Sequence, residues 1–283
     1  MLKTRLSCIA ALFLMPMIAI GPASGAPAYP WRSAAPVEAD TLSQRISPPD
    51  GFERIPAEPG SFAEWLRGLP LKPKGSMVSL YNGLPKFWTA PPAAVIDIDV
   101  GTKDLQQCAD AIMRLRAEYL LSRGKTSEIG FDYTNGGRVD FKRWSTGLRP
   151  IPKSKGVAWS RKGKADASYA SFRRYMDQIF AYAGTYSLSR ELHSVPVDEM
   201  QIGDLFIKGG FPGHAMLVVD MAESPTTGDR RFLLLQSYMP AQDMHVVLNP
   251  SVGGGSPWYA VDFGAKLVTP EWTFEADQLK RWK

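Results

Sequence analysis

Between residues 102 and 123 the apolar side chains Leu105, Ala109, Ile112, Leu115, Tyr119 and Leu120 recur at the spacing of one helix face. With Asp104 as a capping residue and Gly124 as a stop, this pattern predicts a helix whose Arg114, Glu118 and Arg123 face solvent. A shorter helix is predicted over residues 61–67 with Ser61 as its cap, and a second long helix or helix pair over residues 171–192, broken near Gly184. The last third changes period. Residues 203–207, 214–220 and 232–238 are short apolar runs separated by turn residues, and 245–248 is a possible fourth strand. Residues 95–100 also read as a strand, whereas 157–167 are basic and flexible in composition. Helices followed by an antiparallel meander predict an α+β domain.

The N-terminus follows a different logic. Lys3 and Arg5 precede an apolar run from residue 9 to 20, and small residues with one proline fill 21–25. That order is the order of a secretory signal, and the run is too short for an ordinary membrane span. Cys8 precedes the apolar run, whereas a lipid-anchored cysteine would follow it. The chain therefore divides into a signal peptide (1–25), a proline-rich extended lead-in (26–50) and a single α+β domain (51–283). The expected location is exported, periplasmic or extracellular in a bacterium, with no stable membrane span after cleavage.

Composition narrows the function classes. The net charge of +5 falls by two when Lys3 and Arg5 leave, and no long block of one sign remains, which argues against a nucleic-acid partner. Of two cysteines only Cys108 would survive maturation, so no disulfide framework is available. The three histidines lack the spacing of a zinc site, and neither a metal nor another cofactor is expected.

Cys108 falls in the first turn of the helix predicted from Asp104, where free N–H groups and the helix dipole favour a thiolate. A thiol needs that help to act as a nucleophile. His214 opens an apolar strand after the Gly/Pro-rich stretch 209–213, and Gly213 leaves backbone room for a substrate. A hairpin closed at residues 226–229 can set His214 directly across from Gln236, with Cβ atoms about 5 Å apart on one face. Gln236 is then a candidate to orient the imidazole. Gln107 and the backbone N–H of Cys108 are alternative donors to an oxyanion. Tyr238 and Gln242, close to the His214 strand, are candidate substrate contacts. His193 and His245 read as surface or packing residues, and Arg114, Arg116 and Glu118 as solvated charge.

The pair Gly203-Asp204-Leu205-Phe206-Ile207 and Gly213-His214-Ala215-Met216-Leu217-Val218-Val219-Asp220 resembles the strand pair of the NlpC/P60 and CHAP cysteine peptidases. Those bacterial cell-wall enzymes have a papain-like fold. The resemblance implies Cys108 as nucleophile, His214 as base and Gln236 as orienting residue. The chain has Gln-Cys-Ala where the peptidases have Asp-Cys-Ser. Over most of its length it more closely resembles domain of unknown function 4846, through segments such as Gln107-Cys108-Ala109-Asp110, Tyr182-Ala183-Gly184-Thr185, Pro212-Gly213-His214-Ala215, Gln236-Ser237-Tyr238-Met239-Pro240-Ala241-Gln242 and Thr269-Pro270-Glu271-Trp272. Together these imply a Cys-His hydrolase of amide or ester bonds, with peptidoglycan or another envelope substrate. The alternative is a non-catalytic envelope protein that binds cell-wall peptide, glycan or a protein through the same cleft.

Overall fold

The computed structural model describes residues 29–87 and 91–283. The signal expected over 1–25 lies outside the described residues. Six α-helices are present among them: α1 (Leu42–Arg45), α2 (Phe62–Arg67), α3 (Cys108–Ser122), α4 (Phe141–Ser145), α5 (Tyr169–Phe180) and α6 (Thr185–Glu191). Ser61 caps α2 by accepting the Glu64 N–H at 3.1 Å, and the 171–192 stretch is the predicted pair, split before Thr185.

The strands in chain order are β1 (Glu53–Arg54), β2 (Ala94–Val95), β3 (Gly130–Asp132), β4 (Arg138–Asp140), β5 (Leu148–Pro152), β6 (Val157–Arg161), β7 (His193–Ser194) and β8 (Leu205–Lys208). They continue with β9 (His214–Glu223), β10 (Arg230–Gln236), β11 (His245–Val246), β12 (Trp258–Ala260), β13 (Lys266–Val268), β14 (Thr273–Glu275) and β15 (Leu279–Arg281). The main sheet is antiparallel and runs β2-β11-β10-β9-β8-β15-β7, with β1 added to β9 and β12 to β10. The fold is thus α+β around an antiparallel sheet. The stretch 157–167, read as flexible, supplies β6, which pairs with β5 along Leu148–Arg161 to Pro152–Val157.

Both faces of this sheet are covered, which explains why β9 and β10 are almost continuously apolar. Ala215, Leu217, Val219, Leu233 and Leu235 point into the larger core, against Ala109, Ile112 and Met113 of α3. Met216, Val218, Phe232 and Leu234 point the other way, into a smaller core closed by Leu267 and Phe274 of the β13–β14 hairpin. Alternation along β9 therefore places His214 on the face of Met216 and Val218.

The described part of the lead-in packs as part of the domain. Tyr29, Leu42 and Ile46 are buried in the larger core, and Trp31 Nε1 donates to the Asp97 carbonyl at 2.8 Å.

Two of the charges expected on the solvent side of α3 are inside, whereas Arg123 is exposed as expected. Arg114 and Glu118 are both fully buried and pair at 3.3 Å. Arg114 also donates to Gln106 Oε1 at 2.6 Å and Asp99 Oδ2 at 2.7 Å, while Tyr169 donates to Glu118 Oε1 at 2.7 Å. The i,i+4 spacing that normally marks a solvated pair here joins the start of α3 to α5, because α5 lies over that side of the helix. Burial pushes the Glu118 carboxyl up, against the opposing pull of Arg114.

Candidate active site

The helix that carries Cys108 starts later than its sequence pattern suggests. Gln107 is the N-cap and Cys108 the first helical residue; the Gln107 N–H donates to Asp110 Oδ2 at 3.1 Å. Asp104 is not the cap. Its Oδ1 accepts the Ala241 N–H at 2.7 Å and Gln107 Nε2 at 3.1 Å, and so ties the loop after β10 to the start of α3. The shift places Cys108 deeper into the N–H-rich end of the helix than expected.

Cys108 is free and buried, with 8% of its surface exposed. Burial, reinforced by the neighbouring Asp110, pushes its thiol up to about 11. The backbone N–H groups of Ala109, Ala215 and Cys108 itself act in the opposite sense. Ala215 is the residue after His214, so the sulfur lies against the opening of β9. Among the described residues Cys108 and His214 share no hydrogen bond.

His214 is 1% exposed, and its Nε2 lies 3.0 Å from Gln236 Oε1. The pairing that brings them together differs from the predicted one. Leu217 faces Leu235 and Val218 faces Leu234, with an irregularity at Leu233/Leu234, so Gln236 stands diagonal to His214 on the same face. The diagonal suits the longer Gln side chain.

Gln236 is in turn held by two further groups that sequence reasoning missed. Its Nε2 donates to Glu271 Oε2 at 2.5 Å and lies 3.3 Å from His245 Nε2. His245, read as a surface or packing residue, is buried directly opposite Gln236 on β11, with Nδ1 2.9 Å from the Asp243 carbonyl. Lys86 completes the chain at 2.7 Å from Glu271 Oε2. A buried glutamine inside an apolar strand was the sequence signal for this network. Its partners come from separate loops with no shared pattern.

These contacts fix the imidazole's proton. An amide whose nitrogen serves Glu271 and His245 must present its oxygen to His214, so His214 Nε2 carries the hydrogen and donates. Nδ1 is left as the free acceptor. Burial pulls His214 down to about 4, with Gln236 and Glu271 opposing and Lys86 and His245 assisting, so the ring is neutral at pH 7. The rings of Tyr238, Trp272 and Phe274 pack around it with centroids at 4.9, 5.4 and 5.9 Å. Burial, then Glu271 and Cys108, push the Tyr238 hydroxyl up.

A cleft of about 280 Å³ opens on Cys108, with Gln107, Asp110, Thr185, Phe211, Gly213 and Met239 among its wall residues. Of the expected substrate contacts, Gln107 and Gly213 line it. A Cβ on Gly213 would sit 2.3 Å from Thr185 Oγ1 and 2.6 Å from the Lys208 carbonyl, so close packing of β8, α6 and this loop requires glycine there. Tyr238 packs against His214 at a tilt of 56° instead of lining the cleft. Gln242 is fully buried and neither of its amide atoms has a protein partner. Among the described residues, no group of three or more His, Cys, Asp or Glu side chains could hold a metal ion, and no helix is long and apolar enough to cross a membrane.

A family sequence model described as domain of unknown function (4846) matches residues 42–281. The chain belongs to that family. The match begins at the first residue of α1 and ends at the last residue of β15, so this family's unit takes in the whole main sheet together with part of the expected lead-in. No curated protein and no solved structure matches the chain.

Proposed function

We propose that the protein is an exported Cys-His hydrolase of amide or ester bonds, with a papain-like arrangement of its site and peptidoglycan stem peptide as the favoured substrate. One observation carries the reading. Gln236 holds His214 in the tautomer whose Nδ1 can accept a proton, at the end of β9 against which the Cys108 sulfur lies.

The chemistry follows from those roles. Nδ1 takes the Cys108 proton as the sulfur attacks the carbonyl carbon and a C–S bond forms. The backbone N–H of Cys108 and its neighbours at the helix start receive the oxyanion. Collapse breaks the C–N or C–O bond while His214 returns the proton to the leaving nitrogen or oxygen. Water then attacks the thioester, gives its proton to His214, and releases the acid and the free thiol. Proton transfer requires Nδ1 and Sγ to close to hydrogen-bond distance in the substrate complex, a tightening common to such pairs.

The second reading, a binding protein that uses the same cleft, is favoured by the neutral buried thiol and by the missing Cys108–His214 hydrogen bond. Purified muropeptides separate the two. Hydrolysis by the intact protein that is lost in Cys108→Ala and His214→Ala supports the hydrolase. Binding without turnover, equal in wild type and Cys108→Ala, supports the binding protein.

A further inference from the structure

A second cavity, of about 440 Å³, lies beside the later turns of α3, with Arg116, Leu120, Phe131, Arg190 and Trp282 among its wall residues. That volume is within the range, roughly 300–1,000 Å³, of small-molecule sites. Two of its cations, Arg116 and Arg190, make no ion pair among the described residues, although Glu128 lies near enough to Arg116 to act on its charge. The Arg116 guanidinium lies over the rings of Phe62, Tyr119 and Trp282, at 5.2, 5.6 and 5.7 Å from their centroids. Among the described residues it makes no ion pair and no hydrogen bond. Arg190 donates to the Tyr186 hydroxyl at 2.9 Å and also lacks an ion pair.

The acids of the same wall are already engaged. Glu191 accepts the Asp132 N–H at 2.9 Å and Arg138 Nη1 at 2.8 Å. Asp132 itself faces Arg138 at 3.3 Å, and Glu128 pairs with Lys125 at 3.6 Å. Trp282 Nε1 is a further donor, buried without an acceptor. The wall carries Arg116, Arg138, Arg190 and Lys283 against Glu128, Asp132 and Glu191, and the guanidinium groups of Arg116 and Arg190 stand outside any ion pair among the described residues. A guanidinium held among three rings is pre-organised, and its planar fork matches carboxylate or phosphate oxygens in pairs.

We infer that this cavity is an anion site for a small ligand that carries a carboxylate or phosphate on a ring or apolar body. Arg116 supplies the fork, Arg190 the second cation, and Leu120, Phe131 and Trp282 the apolar wall. Cys108 is not part of this wall, and the inference does not depend on the proposed hydrolase activity.

Benzoate, phenyl phosphate and benzamide share a ring and differ in charge, and titration of the intact protein with each, followed by tryptophan fluorescence, tests the site. Saturable binding of at least one anion is expected, with benzamide about tenfold weaker or more, as loss of a charge-assisted pair implies. The stronger of the two anions distinguishes carboxylate from phosphate. Arg116→Gln is expected to weaken the anion about tenfold, and Arg190→Gln, on an exposed side chain that leaves the packing intact, about threefold or more. Cys108→Ala should bind as wild type does. Equal binding of benzamide, unchanged affinity in Arg190→Gln and Arg116→Gln, or no saturation by either anion would overturn the inference.

Discussion

His214 Nε2 and Gln236 Oε1 meet at 3.0 Å across a diagonal of the β9–β10 pair, and the amide cannot turn over without losing Glu271. Replacing Gln236 with Ala leaves the imidazole free to take either tautomer. The expected result is a fall in kcat of about tenfold, the worth of one orienting hydrogen bond, with KM nearly unchanged. Glu271→Ala should act in the same direction through the amide. Steady-state kinetics on a muropeptide substrate check both, and an unchanged kcat in Gln236→Ala would remove its assigned role.

The free thiol is expected to react slowly near neutral pH. Cys108 is pushed up to about 11 by burial and by Asp110, so its thiolate fraction rises through the alkaline range. The rate of alkylation by iodoacetamide should climb with pH from 7 to 10 without a plateau. Asp110 opposes the thiolate, while burial pushes its own carboxyl well up, so Asp110→Asn should label at least as fast as wild type at pH 8. A plateau below pH 8 in the wild type would show an activated thiolate already present in the free protein.

How much of this was legible in the sequence differs by the range of the contact involved. Local signals worked: Ser61 as a cap, the break before Thr185, and the apolar runs that became β8, β9 and β10. The shared face of His214 and Gln236 was expected from the period of two, but it depends on the irregularity at Leu233/Leu234: the register of Leu233 with Asp220, continued along the pair, would put the two side chains on opposite faces. Long-range packing left no such trace. The burial of Arg114 and Glu118 depends on α5, and the support of Gln236 depends on Lys86, His245 and Glu271 from three distant segments. The shift of the cap from Asp104 to Gln107 arose because the loop at Ala241 competes for the same carboxylate.

The buried pair on α3 sets up an asymmetric pair of variants. Arg114→Ala leaves Glu118 without its cation in a site closed to water, and should cost about 3–5 kcal/mol. Arg114→Met combined with Glu118→Leu removes both charges and retains volume, and should cost clearly less. Urea unfolding of the two variants and wild type checks the order. If the single and double variants lose the same stability, the charge left by Arg114 is not what destabilises the protein.

His214 and His245 together make stability depend on mildly acid pH. Burial, the largest cause at each, holds both at about 4 in the folded protein, below the ordinary 6.5. Between those values the unfolded chain binds protons that the native imidazoles do not, so this contribution to stability is lost as pH falls from about 6.5 towards 4. Above 6.5 both states are neutral and this contribution is flat. The full shift amounts to something on the order of 3 kcal/mol per histidine. Glu191, which burial raises to about 7, binds its proton more tightly in the folded protein and acts in the opposite sense over the same window, so the histidine contribution is read by comparing thermal melts of variants with wild type at fixed ionic strength. His245→Asn, which cannot take up a proton, should lose less stability than wild type as pH falls from 6.5 to 4. Identical pH dependence of Tm in His245→Asn and wild type would mean that this imidazole titrates in the folded protein much as it does in the unfolded chain.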